Sequence, residues 1–475
     1  MVSAPRPSVA RCAALALALA GCSRPADDAR TAFLVDAITA DNLVWLAREP
    51  DALAGKYRTM ATREFDFFRG TAAIYWRDAT EGGPVPAGTA FGDDASAWLW
   101  LVGDPHLENL GTFRGADGVI ALDWNDLDAA TVGPWWLDLR RLAVGLAIAS
   151  DELALGDGGD RVLVEAAVRA YVEEIERIDA GGARRLEGAE AGDAVAKLID
   201  QAAREGADET MLATYTRLDG GRRTMFLGDV EPPRADGVWL DTTVAASAGE
   251  NAAVRAAIAS WRPTALAGLS IDEAAVKGVS RRLGAGVASY PVPRYYALLE
   301  GPTTGTGDDV LVELKEATDP PPLAASVPPG LLVFASAAER VVSGQRTLGA
   351  RVDDDPYLGH GEVAPISYRV RERTGYQRGL DLADVAHDRS AAVALATTAG
   401  RLLASAHAFA PVPGDRGGAR CIDRIAPRVR GRADELVDET RAFALAYADV
   451  VRADAARFAA ALAERGPWLG AEPGR

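Results

Sequence analysis

Asp104 and Asn109 stand five residues apart in this chain, and Asp123 follows Asn109 by fourteen. They lie in two short segments, Val102-Gly103-Asp104-Pro105-His106-Leu107-Glu108-Asn109 and Ile120-Ala121-Leu122-Asp123-Trp124-Asn125-Asp126. Between the segments Asp117-Gly118 marks a tight turn. Leu110–Arg114 and Val119–Asp123 are therefore expected to pair as a hairpin centred near Ala116 and Asp117. Such a hairpin sets Asn109 and Asp123 side by side, with Asp104 on the loop that feeds the pair. Carboxylates and an amide oxygen are hard ligands, suited to Mg²⁺ in the company of phosphate. Asp126 is a further ligand candidate. The plain alternative is a group of solvated turns, because acidic loops are common.

Phosphate chemistry also needs a cation and a backbone cradle. The chain has 51 basic residues, of which four are lysines: Lys56, Lys197, Lys277 and Lys315. In so arginine-rich a chain a lysine invites a chemical reason, since a compact ammonium meets phosphate oxygens differently from a planar guanidinium. Lys315 sits in Val310-Leu311-Val312-Glu313-Leu314-Lys315-Glu316, an expected strand. Upstream of it lies Gly284-Ala285-Gly286-Val287-Ala288-Ser289, then a strand over Tyr295–Leu299 and a turn. Downstream, an expected helix over Leu331–Leu348 holds Glu339, which could pair with Lys315. An exposed strand lysine and a solvated glutamate are the bland readings of the last two.

The elements that must position these groups are legible as periodicity. Helical spacing runs over residues 32–77, 136–149, 161–178, 389–410 and 432–465, and strand patterns cluster between Val276 and Arg371. The stretch from Leu186 to Thr264 shows no clear period. The fold class is α+β, with a strand-rich unit inserted between helical ones.

Asp, Asn five residues on and a further Asp after a hairpin resemble the catalytic and metal-binding residues of protein kinases. The glycine of Gly103-Asp104 and the later Asp138-Leu139 are closer to aminoglycoside and choline phosphotransferases. The whole set resembles a bacterial family known as domain of unknown function 2252, placed with the protein-kinase-like superfamily. The resemblance spans Lys56 to Asp449. It rests on Phe65-Asp66-Phe67-Phe68-Arg69-Gly70, the Gly103–Gly111 and Asp123–Asp128 segments, Asp138-Leu139-Arg140-Arg141, Leu314-Lys315-Glu316-Ala317, Glu339 through Arg346, and His407. Ser289, Pro291 and Pro293 depart from a glycine-loop pattern.

The resemblance implies a two-lobed, kinase-like fold with its halves exchanged by circular permutation. Residues 32–265 would form the larger lobe with the catalytic loop, 266–372 the smaller lobe, and 373–475 the helices completing the larger one. Asp104 would orient or deprotonate an acceptor hydroxyl, and Asp138 would brace its loop. Asn109 and Asp123, with Asp126, would hold Mg²⁺ or Mn²⁺. Lys315 would bind the phosphates of ATP or another nucleotide, Gly284 and Gly286 would cover them, and Glu339 would pair with Lys315. The implied activity is phosphoryl transfer to a hydroxyl acceptor, or nucleotidyl transfer if the nucleotide bound reversed. The rival reading is a kinase-shaped binding protein without catalysis.

That rival is motivated by location. Arg6 and Arg11 precede an apolar run from Cys12 to Ala20, a signal-peptide pattern too short to span a bilayer. Leu19-Ala20-Gly21-Cys22 resembles a bacterial lipobox, so cleavage after residue 21, lipidation of Cys22 and a polar tether over 22–31 are expected. Ser23 leans the anchor to the outer membrane, and an exported protein meets little ATP. Two acyl chains or more are needed for stable anchoring. With Cys12 removed and Cys22 lipidated, Cys421 has no cysteine to pair with. A net charge of −17 argues against nucleic acid as a partner. His106, His360, His387 and His407 lack metal-ligand spacing, so zinc is not expected.

Overall fold

The computed structural model describes residues 24–473, apart from 93, 207, 229–241, 266–274, 304, 320–330, 332 and 352–354. The expected signal peptide and Cys22 lie outside the described residues. Five helices open the chain: α1 (Arg24–Asp41), α2 (Leu43–Arg48), α3 (Pro50–Met60), α4 (Glu64–Gly70) and α5 (Ala72–Glu81). The tether expected over 22–31 is helical from Arg24 onward. The reason is Arg30, whose Nη1 donates to Asp78 Oδ1 at 2.8 Å and whose Nη2 meets Asp454 Oδ2 at 2.6 Å. That guanidinium ties α1 to two distant helices.

Strand β1 (Trp98–Leu101) follows, then β2 (Leu110–Arg114) and β3 (Ile120–Trp124) as the expected hairpin, and β4 (Thr131–Pro134), which pairs antiparallel with β1. Helices α6 (Trp135–Glu152), α7 (Gly159–Asp179) and α8 (Asp193–Glu205) complete the first helical part. Every residue of α6 from Trp135 to Ser150 is buried, the pattern of a helix surrounded on all sides.

The chain then builds a sheet. Helix α9 (Asp208–Tyr215) and the hairpin β5 (Thr216–Asp219) and β6 (Arg222–Met225) precede β7 (Thr242–Ala245), α10 (Ala248–Trp261), β8 (Val276–Leu283), β9 (Arg294–Leu299) and β10 (Val310–Ala317). Helix α11 (Ala337–Leu348), β11 (Gly359–Val363) and β12 (Ile366–Glu372) finish it. The six-stranded sheet has the order β11-β12-β10-β9-β8-β7, antiparallel at each described pairing. One face packs Val312, Leu314, Tyr295 and Ala297 against Val254, Ile258 and Trp261 of α10. The boundary expected at 265/266 therefore falls inside this unit: β7 and α10 already belong to the sheet, and Leu212 and Met225 pack on its other face. Helix α11 starts at Ala337, not near Leu331. Ser336 caps it there by accepting from the Glu339 N–H.

The last helices, α12 (Arg389–Phe409), α13 (Ile422–Val429) and α14 (Ala433–Arg465), return to the helical part and share its core with α6 and α7. The architecture is α+β, with the sheet unit interrupting the helical one. Gly400, in the middle of α12, is explained by contact. A Cβ there would lie 2.1 Å from the Ala167 carbonyl oxygen of α7, so only glycine lets the two backbones approach. Gly400→Ala should gain some helix propensity yet lose about 1–3 kcal/mol overall through the forced separation. Urea denaturation checks this; an unchanged or raised midpoint would refute the close-approach explanation.

Candidate active-site cleft

The loop between β1 and β2 is held from below by one carboxylate. Asp138, fully buried near the start of α6, accepts from Val102 N at 2.6 Å and from Gly103 N at 3.1 Å. His407 Nε2, on α12, lies 3.1 Å from the same carboxylate, and Tyr171 OH lies 2.9 Å from His407 Nδ1. Because the carboxylate accepts, Nε2 carries the imidazole proton and Nδ1 accepts from the tyrosine. Gly103 has φ +89°, and a Cβ on it would fall 2.0 Å from the Ala129 carbonyl oxygen. The loop therefore turns only with glycine at this position.

Asp104, next in the chain, faces the cleft with a side chain 15 % exposed. Arg141 holds it, with Nε 2.9 Å and Nη2 2.8 Å from Oδ1. That guanidinium is stacked on Phe68, 3.4 Å from the ring centroid. Burial raises the Asp104 carboxyl above the usual range, and Arg141 and Arg69 oppose the rise. The second oxygen, Oδ2, has His106 Nε2 at 3.8 Å. Burial and the neighbouring Arg69 and Arg141 hold His106 well below its ordinary value, so it is neutral.

Asn109 closes the loop. Its Nδ2 donates to the Asp104 and Asp126 carbonyls at 3.1 and 2.7 Å, and its Oδ1 accepts from Asp126 N at 2.8 Å. The amide oxygen expected on a metal is engaged in tying the loop to the segment after β3. Asp123 departs further from its expected role. Its Oδ2 accepts from Ala350 N at 2.6 Å and its Oδ1 from Trp124 N at 2.9 Å, deep in the protein and off the cleft wall. The observed register explains this. Gly111 pairs with Asp123 and Leu110 with Trp124, which sets Asn109 beside Asn125, whose N–H donates to Asn109 O at 2.8 Å.

Asp126 takes the place expected for Asp123. Its side chain is 46 % exposed to the cleft, and its Oδ2 lies 3.2 Å from Lys315 Nζ. Desolvation works to raise this carboxyl, but Lys315 and Arg369 outweigh it and hold the group well below the ordinary range. Asp128 also pairs with Lys315. The lysine is 2 % exposed on β10, where strand alternation puts it on the same sheet face as Glu313. Arg369 of β12 donates to Glu313 Oε1 at 2.9 Å through Nη2. Its Nη1 and Nε make no hydrogen bond among the described residues. Arg294 lies 3.5 Å from Glu313.

These groups face one cleft of about 650 Å³ between the helical and sheet units. Gly286, Val287, Ala288 and Ser289 line it as well, and both Gly284 (φ +74°) and Gly286 (φ +79°) need the left-handed backbone that glycine supplies. Gly284 itself is not on the wall. Glu339 does not meet Lys315. Its carboxylate accepts from Ala335 N at 2.6 Å, a capping contact at the start of α11. Sequence spacing alone missed the roles of Arg141, Asp128 and Arg369. Arg141, three residues after Asp138 on α6, carried the available signal, because that spacing puts both on one helix face.

A third wall comes from α1, α3 and α5. Lys56 of α3 is 6 % exposed and donates to Asn42 Oδ1 at 3.0 Å. Burial lowers it to about 8, with Asp41 opposing. Tyr290, beyond the glycine loop, packs on α3 at Gly55, where a Cβ would lie 2.6 Å from its ring.

Fold and site together define an α+β protein with an acidic loop and a buried lysine facing each other across an interdomain-type cleft. The chain belongs to the bacterial family described as "Uncharacterized protein conserved in bacteria (DUF2252)", whose model matches residues 48–461. No curated protein and no solved structure matches it.

Two outcomes follow for stability. Asp123→Ala should cost about 1–3 kcal/mol by leaving the Ala350 and Trp124 N–H groups unpaired. Chemical denaturation reads the loss, and a neutral variant would return Asp123 to the list of ligand candidates. Lys56 has a folded pKa near 8 against an ordinary 10.5. The native state therefore loses the proton first, and the cost of the buried charge is full below pH 8 and disappears as pH rises to 10.5. Lys56→Met should stabilise the protein at pH 7 by about 3 kcal/mol, with the gap closing by pH 10.5. A pH-independent difference would show that the fold does not lower the Lys56 pKa.

Proposed function

We propose that this protein is a phosphotransferase of protein-kinase-like architecture, moving a phosphoryl group from a nucleotide such as ATP to a hydroxyl acceptor. The observation that carries the reading is Lys315. A buried lysine on a sheet strand meets Asp126 and Asp128 from the loop after β3 of the other unit, in the cleft that also holds Asp104. The glycine-loop strand pair β8–β9, the lysine strand β10 and the following helix α11 support a small kinase lobe placed after the catalytic loop, that is, a permuted order.

In this reading Asp104 Oδ2 accepts the proton of the acceptor hydroxyl as that oxygen attacks the terminal phosphorus. The phosphoanhydride bond breaks, and the nucleotide leaves one phosphate shorter. Arg141 holds Asp104 in one orientation, and Asp138 holds the loop. Lys315 would turn from its carboxylates to the donor phosphates, joined by Arg369 with its unused N–H groups. The donor set fits a hard cation: two carboxylates, Asp126 and Asp128, converge on one lysine, and phosphates and water complete such a shell. Mg²⁺ or Mn²⁺ held there would neutralise charge on the donor phosphates. Glu339 and Asn109 are left out of the chemistry.

A second, non-catalytic reading is favoured by one observation. The site is self-satisfied, with Asp104 paired to Arg141 and Lys315 to two acids. Cys22 as a lipid anchor in the cell envelope belongs to both readings. Among the described residues no helix is long and apolar enough to cross a membrane.

The deciding experiment incubates the protein with γ-labelled ATP, Mg²⁺ or Mn²⁺ and envelope extract. Label should enter a product with wild type and not with Asp104→Asn. Asp126→Ala should abolish metal-dependent nucleotide binding, Asp123→Ala should retain it once folded, and Lys315→Arg should lose at least ten-fold in transfer. No label and no nucleotide-dependent thermal shift would favour the non-catalytic reading.

A further inference from the structure

Lys56 is a buried cation of the cleft that the transfer chemistry does not use. Its ammonium makes a single hydrogen bond, to Asn42 Oδ1, leaving two of its three N–H directions without a partner among the described residues. Asn42 is fixed with that oxygen toward the lysine because its Nδ2 donates to Ile38 O at 2.8 Å. The acid whose charge acts on Lys56, Asp41, is already held by Arg77, whose Nη1 donates to Oδ2 at 2.7 Å. An ammonium taken out of water without a counter-ion is expensive, so an anion that paired with it would offset part of that cost.

The same wall presents the N-terminus of α5, a helix of ten residues. Gly70, Thr71, Ala72, Ala73 and Ile74 line the cleft alongside Lys56. Thr71 occupies the cap position but makes no capping bond. Its Oγ1 donates backward to Phe67 O at 2.6 Å. No side chain caps the first turn of α5. Uncapped N–H groups at the positive end of a helix dipole attract oxyanions, and here a buried ammonium stands on the same cavity wall.

We propose that Lys56 and the N-terminus of α5 form an oxyanion subsite that holds a phosphate group carried by the acceptor, so that the acceptor is a phosphorylated hydroxyl compound. The word acceptor rests on the phosphoryl-transfer reading; the anion rests on this wall alone. Lys315 and Arg369 serve the donor phosphates from the sheet, and Lys56 serves a second phosphate from the helical side.

The test needs neither nucleotide nor metal, so a failed transfer assay leaves it intact. Inorganic phosphate is titrated calorimetrically into the full chain, into Lys56→Met and into Lys315→Met. Saturable binding should persist in Lys315→Met and weaken at least ten-fold in Lys56→Met, whose unfolding midpoint at or above wild type reports an intact fold. Glycerol phosphate should displace inorganic phosphate, while glycerol and MgATP should not. Equal affinity in Lys56→Met, loss confined to Lys315→Met, displacement by MgATP, or no saturable phosphate binding would each overturn the subsite.

Discussion

One buried carboxylate sets the geometry of the cleft. Asp138 accepts two successive backbone N–H groups from the β1–β2 loop, and that loop then has a single conformation from which Asp104 can project. A carboxylate with no exposure must be satisfied on every side, and His407 with Tyr171 behind it supplies the remaining donor. The chain of contacts joins α6 and α7 to α12, which is far from them in sequence. The C-terminal helices are thereby made part of a loop near residue 103. Gly103 completes the arrangement, because the Ala129 carbonyl fills the space a side chain would need.

Charge in the cleft is distributed between units. Lys315 comes from the sheet, and the acids that pair with it come from the loop after β3 in the helical part. Buried ion pairs of this kind add little net stability, since desolvation offsets attraction. In the closed arrangement the lysine stands opposite Asp126 and Asp128. The same pairing keeps the cation on the cleft wall, where an incoming phosphate would compete with the carboxylates. Lys56, with an amide oxygen and no carboxylate, is a different kind of cation. Burial outweighs Asp41 there and lowers its ammonium toward neutrality.

Much of the scaffold was legible from residue patterns. The β2–β3 hairpin, the glycine turn before β9, the strand carrying Lys315 and the long helices α6, α7, α12 and α14 follow from periodicity and turn chemistry. Asp104 was singled out by its spacing to Asn109, Lys315 as a rare lysine on an expected strand and Asp138 by resemblance to the phosphotransferase pattern, and the cleft brings Asp104 and Lys315 onto its walls. Asp123 was assigned to the wrong side. A hairpin centre displaced by one residue shifts each cross-strand partner by two, so Asn109 faces Asn125 where Asp123 was expected. Glu339 failed for a local reason: with Ser336 three residues before it, its carboxylate turns back to cap α11. The break expected at 265/266 falls inside the sheet unit because β7 and α10, in a stretch without a clear period, pack with the sheet.

Local chemistry could therefore be read without coordinates wherever it depends on neighbours in the chain: turn residues, apolar period, a glycine with positive φ, a lysine rare enough to ask about. Those properties are governed by interactions over a few residues, and the chain encodes them directly. Which acids share the cleft, which arginine holds Asp104, and that Lys56 has no carboxylate partner among the described residues were decided by folding. Each of these depends on long-range approach and on desolvation, and neither is a function of spacing. Asp123 and Asp126 are three residues apart and chemically identical, yet one pins a buried loop and the other faces the lysine. Only packing could tell them apart.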